Sequence, residues 1–193
     1  MKIEMSVALL SAVVRWTRND GNNKHLAQVV VRDGELIACD GHRLVRVSIR
    51  APSTFSFGMD RFNVTELVTV ARTLGVERIG VDIGSKSEIV VDVGRATYRC
   101  PYGPLKDFPS SRKLNGVGPD GRALTKAPPG VGVNPTFLAD IAGVQLAIGG
   151  SDVGVDDGHH AVRLVAWGGL RDAVEFRSTG DDVVRYILMP VQL

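Results

Sequence analysis

The chain has 193 residues, 44% of them hydrophobic and 23% charged, a balance that excludes a disordered polymer and allows one domain or two small ones with a sizeable core. Its formal net charge of +2 lacks the strong basic imbalance of a dedicated duplex-binding module, so any nucleic-acid contact is expected to be local or shared between subunits. No apolar run approaches the ~18 residues needed to span a bilayer, and Met1-Lys2-Ile3-Glu4 opens without a secretory apolar region. Residues 1 to 53 read as a strand, a helix and three strands. Ser6 is placed to cap a helix whose apolar side is Leu9, Leu10, Val13 and Val14. Arg15 and Arg18 fall toward its end, where cations complement the helix dipole. Asn19-Asp20-Gly21-Asn22-Asn23 is a loop by composition. Leu26 to Val31 is a short apolar run, closed by the Asp33-Gly34 turn and followed by Leu36-Ile37-Ala38. After the Asp40-Gly41 turn, Val45, Val47 and Ile49 alternate with Arg46, Ser48 and Arg50, the pattern of a half-buried strand with a charged outer face.

Residues 54 to 105 repeat that order. Phe55 and Phe57 alternate with Thr54 and Ser56 as a strand does, and Asn63 to Glu66 has the three-residue offset of a capping box. Val64, Leu67, Val68, Ala71 and Leu74 then form a helical stripe that Gly75 stops. Strands are expected over 78–83, 88–93 and 95–100, the last two joined through Gly94. Two successive strand-helix-three-strand units imply an internal structural duplication with little residue identity. From 116 to 129 the chain reads as a linker rich in glycine and proline. The pattern then starts a third time, with Val131-Gly132-Val133 as a strand, Asn134 as N-cap and Pro135 at the first helical position. Phe137, Leu138 and Ile141 mark the buried side of a helix running from Asn134 to Gly143, and strands follow near 161–167, 173–176 and 183–189.

Two stretches at opposite ends of the chain stand out. Ala38-Cys39-Asp40-Gly41-His42-Arg43-Leu44 places a tight turn before a strand, and Tyr186-Ile187-Leu188-Met189-Pro190-Val191-Gln192-Leu193 is an apolar strand and tail. A terminus is usually polar and frayed unless something ties it down. Together the stretches resemble the β sliding clamp of bacterial DNA replication, the DNA polymerase III β subunit, whose DGHRL turn and C-terminal MPxxL tail build two sides of one surface pocket. The resemblance implies an α+β protein of DNA-clamp fold, with helices on one face of antiparallel sheets. Residues 1–115, including Asp107-Phe108-Pro109, resemble the family's middle domain, and 130–193 resemble only the second half of its last domain. A clamp domain is two half-units side by side, so three half-units call for a neighbouring chain to complete the third.

Carried over position by position, the resemblance implies a pocket for the short peptides by which polymerases and repair proteins dock on clamps. Its walls would be Leu26, Cys39, Gly41, His42, Arg43 and Leu44, with Ile187, Met189, Pro190, Val191 and Leu193 from the tail. An apolar cleft with adaptable Met lining and Arg43 or His42 at the rim suits such a guest. Cys39 stands where the family usually has Thr, and Gln192 where it commonly has Arg. The bland alternative is a turn and a packed terminus.

The resemblance also implies that helices face double-stranded DNA and meet its phosphates without reading sequence. Arg15, Arg18, Lys24 and Arg72 are the candidates, although arginines on a helix surface are ordinarily just solvated. The third helix has no basic residue and carries Asp140, so its exposed face is expected not to attract phosphate. Asp156-Asp157-Gly158-His159-His160 has ligand-type residues but the density of Gly and Asp that marks a loop. Cys39 and His42 sit in a tight turn, where spacing alone does not bring a nucleophile to a base, and Asp40 is better explained as closing that turn. No phosphate-binding glycine loop, dinucleotide fingerprint or serine nucleophile elbow is present. With Cys39 and Cys100 the only cysteines, a reducing cytoplasm fits better than a disulfide framework. The expectation is a cytoplasmic, non-enzymatic protein without cofactor, metal or membrane partner. It would be a homo-oligomeric scaffold that associates with DNA and recruits clamp-binding peptides. The alternative is a peptide-binding regulator or decoy that does not encircle DNA.

Overall fold

The first strand, β1 (Lys2–Ser6), runs without a loop into α1 (Val7–Val13), because Ser6 ends the one and caps the other: its Oγ accepts from the Leu9 N–H at 3.3 Å. The computed structural model describes residues 2–19, 24–84, 88–103, 105, 108, 131–132, 135–149, 162–167, 174–178, 184–188 and 191–192. A single 3-10 turn, Val14–Trp16, extends α1, and the Thr17 hydroxyl donates back to the Val14 carbonyl at 2.6 Å. The chain then forms β2 (Gln28–Arg32), β3 (Glu35–Cys39) and β4 (Arg43–Ser48). Asp33 and Gly34 join β2 to β3 with φ of 53° and 77°. That pair of positive φ values is the hairpin turn whose twist matches the strands it connects.

The second unit repeats the order with β5 (Phe57–Asp60), α2 (Arg61–Thr73), β6 (Arg78–Ile83), β7 (Glu88–Val93) and β8 (Ala96–Pro101). The expected capping box at Asn63 and Glu66 is corrected here. As in the first unit, the strand feeds the helix directly, so the cap is Asp60, whose carboxylate accepts from the Phe62 N–H at 2.8 Å. Asn63 and Glu66 lie inside the helix and hold the Tyr98 hydroxyl of β8 instead, at 3.1 and 2.8 Å. Gly75, with φ of 66°, stops α2 as expected, and the Val76 N–H reaches back to the Ala71 carbonyl at 2.8 Å.

The third unit contains β9 (Val131–Gly132), α3 (Pro135–Gly149), β10 (Val162–Trp167), β11 (Val174–Ser178), β12 (Val184–Leu188) and β13 (Val191–Gln192). α3 runs past Gly143 to Gly149, because Val144, Gln145, Ala147 and Ile148 continue its buried side.

The units are interlocked and not merely adjacent. β1 of the first unit pairs antiparallel with β6, completing the four-stranded sheet β1-β6-β7-β8. β5 of the second unit pairs with β2 of the first. The larger sheet runs β10-β11-β12-β4-β3-β2-β5, so the third unit joins the first through antiparallel β12 and β4, with Ile187 opposite Leu44. α1 packs against both α2 and α3. One apolar core lies between helices and sheets and runs unbroken through all three units, from Ile3 and Met5 through Ile141 and Ile148 to Tyr186 and Leu188.

Candidate partner-binding site

The site begins at the turn between β3 and β4. Gly41 has φ of 95°, a backbone state that side-chain-bearing residues rarely adopt. Asp40 closes the turn. Its Oδ1 accepts from the N–H groups of His42 and Arg43, both at 2.9 Å, and its Oδ2 accepts from Arg43 Nε at 2.8 Å. The turn is therefore held by its own carboxylate, and the strand that leaves it has a defined register.

Strand alternation then sends neighbouring side chains to opposite faces of the large sheet. Val45, Val47, Tyr186 and Leu188 face the helices and join the main core. Leu44 and Ile187 face the other way, into a second apolar cluster with Leu26, Val30, Ile37, Cys39 and Phe108, against which Leu105 packs. Leu26, Cys39 and Leu44 are thus brought together with Ile187 of the C-terminal strand, about 140 positions away in sequence. Gly41 and His42 are exposed beside them. Met189, Pro190 and Leu193 lie outside the described residues, as does the side chain of Val191, whose backbone in β13 pairs with Gly132.

Sequence reasoning missed four members of this cluster as site residues: Val30, Ile37, Leu105 and Phe108. One signal for the first was present. β2 is buried at Gln28, Val29, Val30 and Val31 in succession, which requires both faces of the strand to be covered.

Arg43 does not stand free at the rim. Its side chain is only 10% exposed and ties three elements together. Beyond its bond to Asp40, it donates through Nη1 to Asp140 Oδ2 of α3 and through Nη2 to the Arg15 carbonyl at 2.9 Å. Its guanidinium carbon sits 4.9 Å from the Trp16 ring centre and 4.7 Å from that of Phe137. Asp140 is correspondingly not on an exposed face of α3. It is 13% exposed and lies between Arg43 and Arg15, whose Nε is 3.6 Å away. Nearby, the rings of Trp16 and Tyr186 stand 5.6 Å apart, and the Tyr186 hydroxyl accepts from Gln145 Nε2 of α3 at 2.7 Å.

Beside the turn lies an open depression of about 490 Å³, lined by Thr17, Arg18, Asn19, Asp40, His42 and Arg43. Arg18, expected to face DNA, is therefore at the mouth of this depression. The other three expected DNA-facing residues are exposed, but they do not form one patch of unopposed cations. Arg15 is paired with Asp140, Arg72 donates to the Ser11 hydroxyl at 2.7 Å, and Lys24 lies in the turn before β2.

Neither cysteine is built for catalysis. Cys39 and Cys100 are both free and buried, and loss of solvation pushes each thiol up to about 11. An activated thiol is shifted the opposite way. No group of three or more metal-ligating side chains occurs among the described residues, and the segment 156–160 lies outside them. None of the helices is long and apolar enough to cross a membrane, among the described residues.

No protein-family model matches the chain, and no curated protein matches it. Solved structures do. The chain is similar to the DNA polymerase III β subunit of Pseudomonas aeruginosa, with 16% identity and a TM-score of 0.67 over 100% of this chain and 67% of that one. It is similar to the DNA polymerase III β subunit of Thermotoga maritima, with 13% identity and a TM-score of 0.64 over 100% of this chain and 66% of that one. A Pseudomonas aeruginosa sliding clamp bound to griselimycin aligns at 15% identity and a TM-score of 0.59, again over 100% of this chain and 66% of that one. At these identities the likeness shows the fold, and the chain spans about two thirds of the length of these clamps.

Proposed function

Since this chain has the fold of the bacterial DNA polymerase III β sliding clamps, we propose that it acts as a clamp-like scaffold. It oligomerises, associates with double-stranded DNA, and recruits partner proteins through a peptide seated beside the Asp40–Arg43 turn. The observation that carries this reading is the meeting of that turn with the C-terminal strand around the cluster of Leu26, Cys39, Leu44 and Ile187. The apolar cluster itself is buried, with Phe108 packed into it, and the open depression beside the turn is polar, so a peptide would set its polar residues in the depression and its bulky apolar ones against residues 189–193. Arg18 and His42 line the polar side, and Met189, Pro190, Val191 and Leu193 would complete the apolar side. The griselimycin complex of a Pseudomonas aeruginosa clamp supports the idea that this fold carries a ligand site.

The test is fluorescence anisotropy with a labelled clamp-binding peptide. Removing residues 190–193 is expected to weaken binding by at least about tenfold, the scale on which one well-packed apolar contact registers, with the overall fold retained by circular dichroism although the β9–β13 pairing is lost. Unaltered affinity would end the pocket assignment.

A second reading is favoured by the charges. α3 has no Lys or Arg, and Arg15 is held by Asp140. These features suit a regulator or decoy that binds clamp-directed peptides, or attaches to a clamp, without surrounding DNA. Retention on circular but not linearised DNA marks the encircling scaffold, since only a closed ring is trapped by topology. Equal loss from both marks the decoy.

A further inference from the structure

The face of the large sheet turned away from the helices carries a row of arginines. Val45, Val47, Tyr186, Leu188 and Phe176 lie on the helix side, so Arg46, Arg185 and Arg177, which alternate with them, lie on the other. Register aligns these three. Arg46 of β4 stands opposite Arg185 of β12, and Arg185 stands opposite Arg177 of β11. The backbone of β10 sets Arg163 opposite Arg177 in turn. Four adjacent strands, spaced about 4.8 Å apart, thus hold an arginine at one level. Like charges directly opposite each other destabilise a sheet, so such a row calls for anions.

The row runs into the candidate partner-binding site. Opposite Arg46 on β3 is Ile37, and opposite Ile37 on β2 is Val30. Two positions from Arg46 and Arg185, on the same face, lie Leu44 and Ile187. All four apolar residues belong to the second cluster, so the arginines border it on two sides.

Two carboxylates answer the row in part. Glu35 Oε2 accepts from Arg46 Nε and Nη2 at 3.0 and 2.6 Å, and Glu175 Oε1 accepts from Arg177 Nε at 2.7 Å. Arg185, between them, is partly exposed and has no acidic partner among the described residues. Directly opposed side chains stand about 5 Å apart at Cβ, so one carboxylate over Arg185 feels three guanidinium groups. The surroundings say which anion fits. The side chains of Arg46 and Arg177 are only 12% and 24% exposed, too recessed for a stiff duplex backbone. Glu35 and Glu175 flank the row and repel a polymer with a phosphate at every residue. An aspartate or glutamate on a flexible protein segment brings one charge and can reach in.

We propose that the row of Arg46, Arg185 and Arg177 holds acidic residues that flank the docking peptide of a partner protein. Charge pairing there discriminates among partners whose apolar anchors are alike. This names the chemistry of the partner recruited in the function proposed above and rests on that reading.

The test uses the full chain and two labelled peptides that share one clamp-binding core, extended at both ends by paired aspartates or by paired asparagines. In fluorescence anisotropy at low salt, the aspartate peptide is expected to bind at least about tenfold more tightly. Arg185→Gln should erase that advantage and leave the affinity for the asparagine peptide and the melting temperature unchanged. Arg95→Gln removes the same charge from an exposed turn of the smaller sheet and should leave the advantage intact. A second measurement needs no core peptide. In nuclear magnetic resonance of the isotope-labelled protein, acetyl-Asp-Asp-amide should shift the Arg185 Nε signal saturably, and oligothymidylate should not. Equal measurable affinity for the two peptides, an advantage that survives Arg185→Gln, or displacement of the dipeptide by oligothymidylate would each overturn the proposal, the last in favour of nucleic acid. If neither core peptide binds but the dipeptide shifts Arg185, the recruiting scaffold falls and the acidic-residue site stands. If both peptides bind alike and the dipeptide shifts nothing, the scaffold stands and this site falls.

Discussion

Arg43 is the residue on which the geometry of the site turns. A guanidinium has five donors in a planar fork and two faces able to stack, and this one uses its fork on Asp40, Asp140 and the Arg15 carbonyl while Trp16 and Phe137 lie within 5 Å of its charged carbon. Lys could supply the charge but not the fork. With one cation held between two largely buried carboxylates, its removal leaves Asp40 with only its backbone N–H donors and Asp140 with only the longer contact to Arg15. Arg43→Ala is therefore expected to cost about 3 kcal/mol in urea unfolding, toward the low end for breaking a buried pair because solvent still reaches the group. Arg43→Lys should recover only part of that loss. A double-mutant cycle with Asp140→Ala should return a coupling of about 1–3 kcal/mol, and additive effects would show that the two groups do not interact. None of this was legible in sequence, where Arg43 and Asp140 are 97 positions apart. The role of Asp40 was legible, because a carboxylate that closes its own turn needs only its next three residues.

Among the elements, the direct passage from strand to helix explains both where the helices begin and why one expectation shifted. Ser6 and Asp60 each end a strand and cap the helix that follows. Asp60→Ala is expected to cost about 1 kcal/mol, while Asn63→Ala, at the position first assigned to the cap, should cost under about 0.5 kcal/mol. Chemical denaturation of the two variants side by side checks the assignment, and a larger loss at Asn63 would reverse it. The misplacement has a local cause. Asp60 and Asn63 are both good capping residues, and helical periodicity at Val64 and Leu67 suits either start. Only the pairing of Asp60 with Gln28 shows that the strand continues to that point. The strands were otherwise readable, because alternation and the Asp33-Gly34 turn are short-range signals.

At the scale of the molecule, the exchange of first strands and the β4–β12 junction leave no unit with a core of its own. The apolar core passes from the first unit into α3 and β12, and the rings of Trp16 and Tyr186 meet at a tilt across that junction. Unfolding is therefore expected to be a single transition, with tryptophan fluorescence and far-ultraviolet circular dichroism changing together. A separate, earlier transition belonging to residues 130–193 would contradict a shared core. Among the described residues, edge strands remain at β1, β5, β8 and β10, and exposed apolar side chains occur on both α2, at Phe62 and Val70, and α3, at Leu138 and Leu146.

The sequence alone determined the repeated strand-helix-three-strand order, the turn held by Asp40, and the two distant stretches that resemble one clamp pocket. Each of these depends on residues within a few positions of one another or on a motif read in place. Only the tertiary structure decided that first strands change sheets, that Leu44 and Ile187 share a cluster with Val30, Ile37 and Phe108, and that Arg43 faces the helices. The reason is that local periodicity says which side of a strand is apolar but not what lies opposite it. That choice belongs to pairings between segments far apart in the chain, where register sends each side chain to one face of the sheet or the other.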